Sequence, residues 1–338
     1  MLRWLVLRLL WVPVTLLGIT FVTFAALHFA PVDRAELEVA RREQNSSFSN
    51  LQDRERAIQL LRLQHGLVDP DTLEPVPLWR GYSRWLGNAL TMRFAGPGTS
   101  DAAFWQRFGR ALPVSLWLGG LALLLAVLVG VPLGAYVGMR AGSGADRAAS
   151  QLMFVVIGLP EFLLATLLLL GFAGAWLSWF PSTGLTSSGA ADWSFGARLA
   201  DFAWHLVLPV LVMASSPLVL IARFLRDSVA REAASSAAVY ARAIGLEPAV
   251  RRWRLVRAGG APLATLAGTL LPMLVGGSIV VENLFALDGL GHLAFEAVED
   301  QDQGMVMALV LLTSTTTLVA LVVSDVLHRL VDPRVRVA

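Results

Sequence analysis

The sequence predicts an all-α polytopic membrane protein with six transmembrane helices and a long external segment after the first. Three observations carry this expectation. Hydrophobic residues make up 56% of the 338 residues and charged residues only 15%, where soluble domains usually carry roughly a quarter charged; mean hydropathy is +0.63. Apolar runs long enough to cross a hydrocarbon core of about 30 Å recur along the chain. Arginine concentrates in alternate connectors between those runs.

The first run, Leu9 to Ala30, contains no Asp, Glu, Lys or Arg and follows Arg3 and Arg8. Its length, and the absence of a small-residue cleavage site near Pro31, predict an uncleaved anchor in place of a signal peptide. From 31 to 110 the chain is polar, with Pro70, Pro75, Pro77 and Gly96-Pro97-Gly98. Mixed charges at helical spacing predict a surface helix from Leu51 to His65, stopped by Gly66. Trp79, Tyr82, Trp85 and Leu86 predict a second, at the membrane interface. The further spans are expected at Ala111 to Met139, Leu152 to Phe180, Phe202 to Ala222, Ala261 to Val281 and Met305 to Ser324. The natural divisions are therefore 1–30 (first span), 31–110 (external loop) and 111–338 (a core of five spans), with a loop at 223–260 inside the core.

Orientation follows from the connectors, because short loops rich in Arg are retained in the cytoplasm. Arg140 and Arg147 follow the second span, and Arg223, Arg226, Arg231, Arg242, Arg251, Arg252, Arg254 and Arg257 follow the fourth. Arg329, Arg334 and Arg336 lie in the tail, whereas Glu282 to Gln303 is acidic and lacks Arg. Both termini are thus expected inside and 31–110 outside. The near-balanced net charge of +2 makes no case for nucleic acid, and the lack of cysteine excludes disulfides, thiolate metal sites and a Cys nucleophile.

Within 223–260, Ser235-Ser236 can cap a helix that Gly245 and Pro248 terminate. Ala237, Tyr240, Ala241 and Ile244 fall on one face, with Arg242 elsewhere. The stretch is either a connector or a lever seated in a cleft of a cytoplasmic partner. Small residues at Ala238, Ala241, Ala243 and Gly245 suit close seating.

Tyr240-Ala241-Arg242-Ala243-Ile244-Gly245-Leu246 resembles the cytoplasmic loop motif of permease subunits from binding-protein-dependent ABC importers, in the form seen in dipeptide and oligopeptide permeases. The likeness runs along nearly the whole chain. It includes Leu7-Arg8-Leu9-Leu10, Pro31-Val32-Asp33, Ala111-Leu112-Pro113-Val114-Ser115-Leu116, Gly130-Val131-Pro132-Leu133-Gly134 and Pro160-Glu161-Phe162. His205-Leu206-Val207-Leu208-Pro209, Glu282, Phe285, Gly289-Leu290-Gly291 and Asp332-Pro333-Arg334 continue it. Departures fall at Val32, Met92-Arg93-Phe94-Ala95, Gly259-Gly260 and Asp288, mostly outside the cytoplasmic loop.

The resemblance implies a type I ABC importer permease fold and half of a translocation pathway in the inner membrane. It also implies a homologous second permease subunit, two ATPase subunits, an extracytoplasmic solute-binding protein and a peptide cargo. Ala238, Tyr240, Ala241, Arg242, Ala243, Gly245 and Leu246 would couple to the ATPases. ATP and Mg would belong to those partners, since this chain has no phosphate-cradling Gly-Lys-Ser/Thr motif; no cofactor or metal is expected here. Nickel chelates, sugars, glutathione or antimicrobial peptides are alternative cargoes on the same fold.

Glu161 is the carboxylate placed well inside an expected span, where charges usually face a cavity or partner; it is a candidate for the translocation path. Thr313 and Thr316, within Thr313-Ser314-Thr315-Thr316-Thr317, either line that path or bond to their own helix. His28 and His205 are isolated and suggest packing, not metal. Ser278 after Gly276-Gly277 suggests close helix packing; an intramembrane hydrolase would need it to meet His205 or His28. A channel or secondary transporter would work without ATPases. The acidic stretch Glu296 to Asp302 reads as a solvated outer face or a contact for a binding protein.

Overall fold

A computed structural model describes residues 2–30, 33–45, 51–94, 100–174, 176–260, 263, 266, 270 and 278–331. Among the described residues the regular structure is helical, with no strand beyond two isolated bridges. Among the described residues four helices are long and apolar enough to cross a membrane, or five if one bent pair counts as a single span. They are α1 (Leu2–His28), α5 (Asp101–Gly138), α8 (Phe195–Ala233), the last helix, Gln303–Val331, and the pair α6 (Gly144–Gly158) with α7 (Glu161–Phe172). The fifth expected span, 261–281, lies almost entirely outside the described residues, as do Gly276, Gly277, Gly96-Pro97-Gly98 and the tail arginines Arg334 and Arg336. Its expected end is corrected: Ser278 is extended and caps a new short helix, Ile279–Leu284.

The third span departs most from expectation. Leu152 to Phe180 is not one helix, because α6 and α7 meet at 101°. Pro160 is the cause: it lacks an N–H and pushes the preceding residue out of the helical region, and Leu159 is extended at φ −81°, ψ 122°. Between Phe172 and Phe180 none of the described residues is helical. By contrast α5 and α8 extend beyond their apolar runs into polar sequence at one or both ends.

The chain divides into two compact units, 112–291 with the end of the last helix from Thr317, and 2–111 with 292–316. In the second, α2 (Arg34–Asn45) and α3 (Leu51–Gln64) form a hairpin. Ala35, Val39, Ile58 and Leu61 are its core, and Arg62 bridges Asp33 and Glu36 at 2.6 Å each. Helix α4 (Leu78–Leu90) places Tyr82 against Phe21 and Phe24 of α1. The acidic stretch is not simply a solvated face: Glu296 pairs with Arg107, Asp300 with Arg41 and Asp302 with Arg34. Arginines from distant parts of residues 31–110 pair with it.

In the first unit the core gathers Leu118, Leu206, Leu208, Val212, Met213, Val281, Phe285 and Leu287. The same unit holds α9 (Ser236–Ala243), α10 (Pro248–Gly260) and α11 (Ile279–Leu284). Helix α12 (Leu290–Glu299) and α13 (Gln303–Val331) follow.

Candidate coupling site

The site begins with α8, an unbroken helix of 39 residues, about 58 Å long at 1.5 Å per residue. Only Ala234 and Ser235 separate it from α9. The Ser235 hydroxyl accepts the Ala238 N–H at 3.2 Å, a cap worth about 1 kcal/mol. At the other end the Leu246 N–H donates to the Ala241 carbonyl and the Gly245 N–H to the Arg242 carbonyl, each at 3.1 Å. That pair of bonds is a Schellman closure, which needs a left-handed residue; Gly245 has φ +70°. Pro248 then opens α10 at its first position, where a missing N–H is harmless. The expected short helix between Ser235 and Gly245 is therefore present.

Three features fix α8 to its neighbours. Gly130, Gly134 and Gly138 recur every fourth residue on the face of α5 that meets α8. A Cβ on Gly130 would lie 2.9 Å from the Leu218 carbonyl, one on Gly134 would strike the Ala222 backbone, and one on Gly138 would lie 2.6 Å from the Arg226 carbonyl. On α10, a Cβ at Gly259 would lie 3.0 Å from the Val229 nitrogen. Backbone therefore meets backbone on both sides of α8. Finally, Arg226 of α8 donates to both carboxylate oxygens of Asp146 on α6, at 2.9 and 2.6 Å. Asp146 is buried and also accepts the Gly142 N–H at 2.8 Å.

The exposed side of α9 is apolar. Tyr240 is 66% exposed, Ile244 53% and Val239 52%, and Ala243 and Gly245 are exposed beside them. The four residues expected on one face divide: Tyr240 and Ile244 are exposed, whereas Ala237 and Ala241, with Ala238 and Arg242, line a cavity against α5 and α10. Leu246 is half-buried.

The proposed path residues fare differently. Glu161 is not in the middle of a helix but in the first turn of α7, where the helix dipole favours a carboxylate. It accepts the Ser278 hydroxyl at 3.2 Å, and that hydroxyl in turn accepts the Val281 N–H. His205 is committed to Asp201, with Nδ1 2.8 Å from its backbone oxygen; the partners of Ser278 are Glu161 and Val281. Thr313 and Thr316 donate to the Leu309 and Leu312 carbonyls of their own helix, at 2.7 and 2.9 Å. They belong to the second unit and Glu161 to the first.

Sequence reasoning passed over one constellation. Glu282 is fully buried on α11. It accepts the Ser115 hydroxyl at 2.8 Å, and Ser115 Oγ accepts the Leu290 N–H at 2.7 Å. A Cβ at Gly289 or Gly291 would lie 2.5 or 2.9 Å from that carboxylate, so glycines at both positions make room for it.

Residues 130–337, more than half of the chain, match the family described as binding-protein-dependent transport system inner membrane component. The chain belongs to this family. It is 29% identical to the dipeptide transport system permease protein DppB of Bacillus subtilis over 99% of this chain and 98% of that protein. It is 27% identical to the oligopeptide transport system permease protein AppB of the same organism over 95% of each. Against the peptidoglycan transport system permease protein YejB of Agrobacterium fabrum, identity is 30% over 66% of this chain and 62% of that one. The protein is thus a membrane-spanning permease component of a transport system, and its matched region contains the whole of α8, α9 and α10.

Proposed function

We propose that this permease is one of two homologous membrane subunits of an ATP-driven importer, with both termini cytoplasmic and a peptide as cargo. The observation that carries the reading is a short, doubly capped helix presenting exposed Val239, Tyr240 and Ile244 at the end of an unbroken helix of 39 residues, long enough to cross a membrane. Three exposed apolar side chains in a hydrophilic loop need a partner surface. An ATPase subunit that closes on nucleotide would move α9, and the glycine seam with the Asp146–Arg226 pair would pass that movement to α5, α6 and α8. The relatives matched over nearly the whole chain are named for dipeptides and oligopeptides, so a peptide is the first cargo to test. An extracytoplasmic solute-binding protein would deliver it, and ATP with Mg would be bound by the ATPases. On this reading 31–110 is an external loop and 223–260 the cytoplasmic coupling loop. Glu161, whose carboxylate sits at the bend of the third span, faces the path and meets the peptide's amino group.

The test is purification of the tagged chain from its native membrane, followed by ATPase assay. The wild type should bring down ATPase subunits whose activity rises with cargo-loaded binding protein. Gly245→Pro cannot supply the N–H that closes α9 nor adopt a positive φ, and should lose that stimulation. Recovery of the chain with no ATPase activity would overturn the reading in favour of a channel or secondary transporter.

A further inference from the structure

Behind α9, on the side away from Val239 and Tyr240, lies a cavity of about 690 Å³ whose walls come from the ends of α5 and α8 and from α9 and α10. Arg140, Arg242, Arg251, Arg252 and Arg254 line it, against a single carboxylate, Glu232. Outside the cavity, Arg34, Arg41, Arg54, Arg62, Arg107 and Arg226 each hold a carboxylate. None of the five cavity arginines forms an ion pair among the described residues. Glu232 is engaged by the Ser235 hydroxyl at 3.5 Å. Guanidinium groups that share one cavity repel one another, an anion among them relieves that repulsion, and planar guanidinium forks match phosphate oxygens.

The surroundings identify the source of that anion. Met139 and Arg140 stand at the end of the apolar run of α5, and α10 finishes where the next apolar run begins at Ala261. The cavity is therefore at the level where hydrocarbon gives way to water. Helix α10 carries Trp253, 65% exposed, between Arg252 and Arg254, the mixture of indole and cations typical of interfacial helices. Arg140 lies 4.0 Å over the ring of Tyr136, itself exposed, so the ring positions one guanidinium of the cavity wall. An ATPase docked on Val239, Tyr240 and Ile244 would occupy the other side of α9.

We propose that this cavity binds the phosphate head of an anionic phospholipid, which fastens α9 and α10 to the end of α5. The inference goes beyond the transport reading and stands whichever cargo is carried. It requires only that the loop lie at a membrane surface. Basic pockets between spans at the cytoplasmic side are suited to acidic headgroups, with roughly a kilocalorie for each cation at the surface.

Native mass spectrometry of the detergent-purified complex, titrated with phosphatidylglycerol or phosphatidylcholine, tests it. The wild type should retain phosphatidylglycerol, and Arg251→Gln with Arg254→Gln should weaken that retention about thirtyfold. Phosphatidylcholine should bind both alike, and Arg251→Lys with Arg254→Lys should keep most of the wild-type retention, which separates lost charge from misfolding. Excess inorganic phosphate should not displace the lipid. Equal phosphatidylglycerol retention in wild type and the Gln variant overturns the proposal. So does full displacement by phosphate, which would mark a free-anion site. Loss of accompanying protein subunits from the Gln variant with lipid retention unchanged overturns it too, in favour of an acidic protein partner.

Discussion

Cutting the link between Asp146 and Arg226 should have unequal effects depending on which partner is removed. Arg226→Ala leaves the Asp146 carboxylate buried with only the Gly142 N–H at 2.8 Å and the Ser150 hydroxyl at 3.4 Å. Asp146→Ala leaves Arg226 still paired with Asp227 at 2.7 Å, and its side chain 28% exposed to water. Breaking a buried pair costs about 3–5 kcal/mol when the remaining charge has no compensation. The residual hydrogen bonds reduce this to about 2–3 kcal/mol for Arg226→Ala. For Asp146→Ala, with Arg226 reaching solvent and Asp227, about 1 kcal/mol is expected. In thermal unfolding of the purified complex these translate to a lower Tm by about 4–12 °C and about 2–4 °C. Double replacement should cost less than the sum of the two. Equal shifts, or a larger shift for Asp146→Ala, would refute the reasoning that the buried carboxylate is the expensive member.

Gly134→Val should force α5 and α8 apart at Ala222 and lower stability by about 1–3 kcal/mol, with loss of ATPase stimulation, whereas Gly120→Ala, with nothing within 4 Å of its Cβ, should be silent in both assays. Glu161→Gln keeps the acceptor for Ser278 but removes the charge; uptake of peptides with a free amino group should fall while uptake of N-acetylated peptides is unchanged, and a uniform effect or none would remove Glu161 from the path. Ser115→Ala takes a partner from both Glu282 and the Leu290 N–H, and the Tm should fall by several degrees, corresponding to about 1–3 kcal/mol.

Much of this architecture was written in local sequence, and what was not depended on distant residues. The helix 236–243 was legible because its cap, Ser235, and its stop, Gly245, act within one or two turns. The direction of its faces was not, because α10 and the end of α5 decide which side of α9 is covered, and Ala241 fell on that side. The apolar run from Leu152 to Phe180 masked the bend at Leu159, although Pro160 announced it: hydropathy reports burial in lipid, not the path of the backbone. Asp146 and Arg226, or Ser115 and Glu282, stand too far apart in the chain for spacing to join them. Gly130, Gly134 and Gly138 are four residues apart in the chain, yet only the facing backbone of α8 shows why a side chain there cannot be accommodated.

The central claim is that the exposed side of α9 is covered by an ATPase subunit. Because the chain contains no cysteine, a cysteine introduced there is unique in this chain, and its accessibility to a small maleimide can be compared before and after assembly. Tyr240→Cys should label readily in the isolated chain, become protected in the assembled complex, and cross-link to an ATPase subunit through a short bifunctional reagent. Ala238→Cys, on the cavity side, should show no such cross-link. Undiminished labelling of Tyr240→Cys in an assembled, ATP-hydrolysing complex, with no cross-link, would contradict the account.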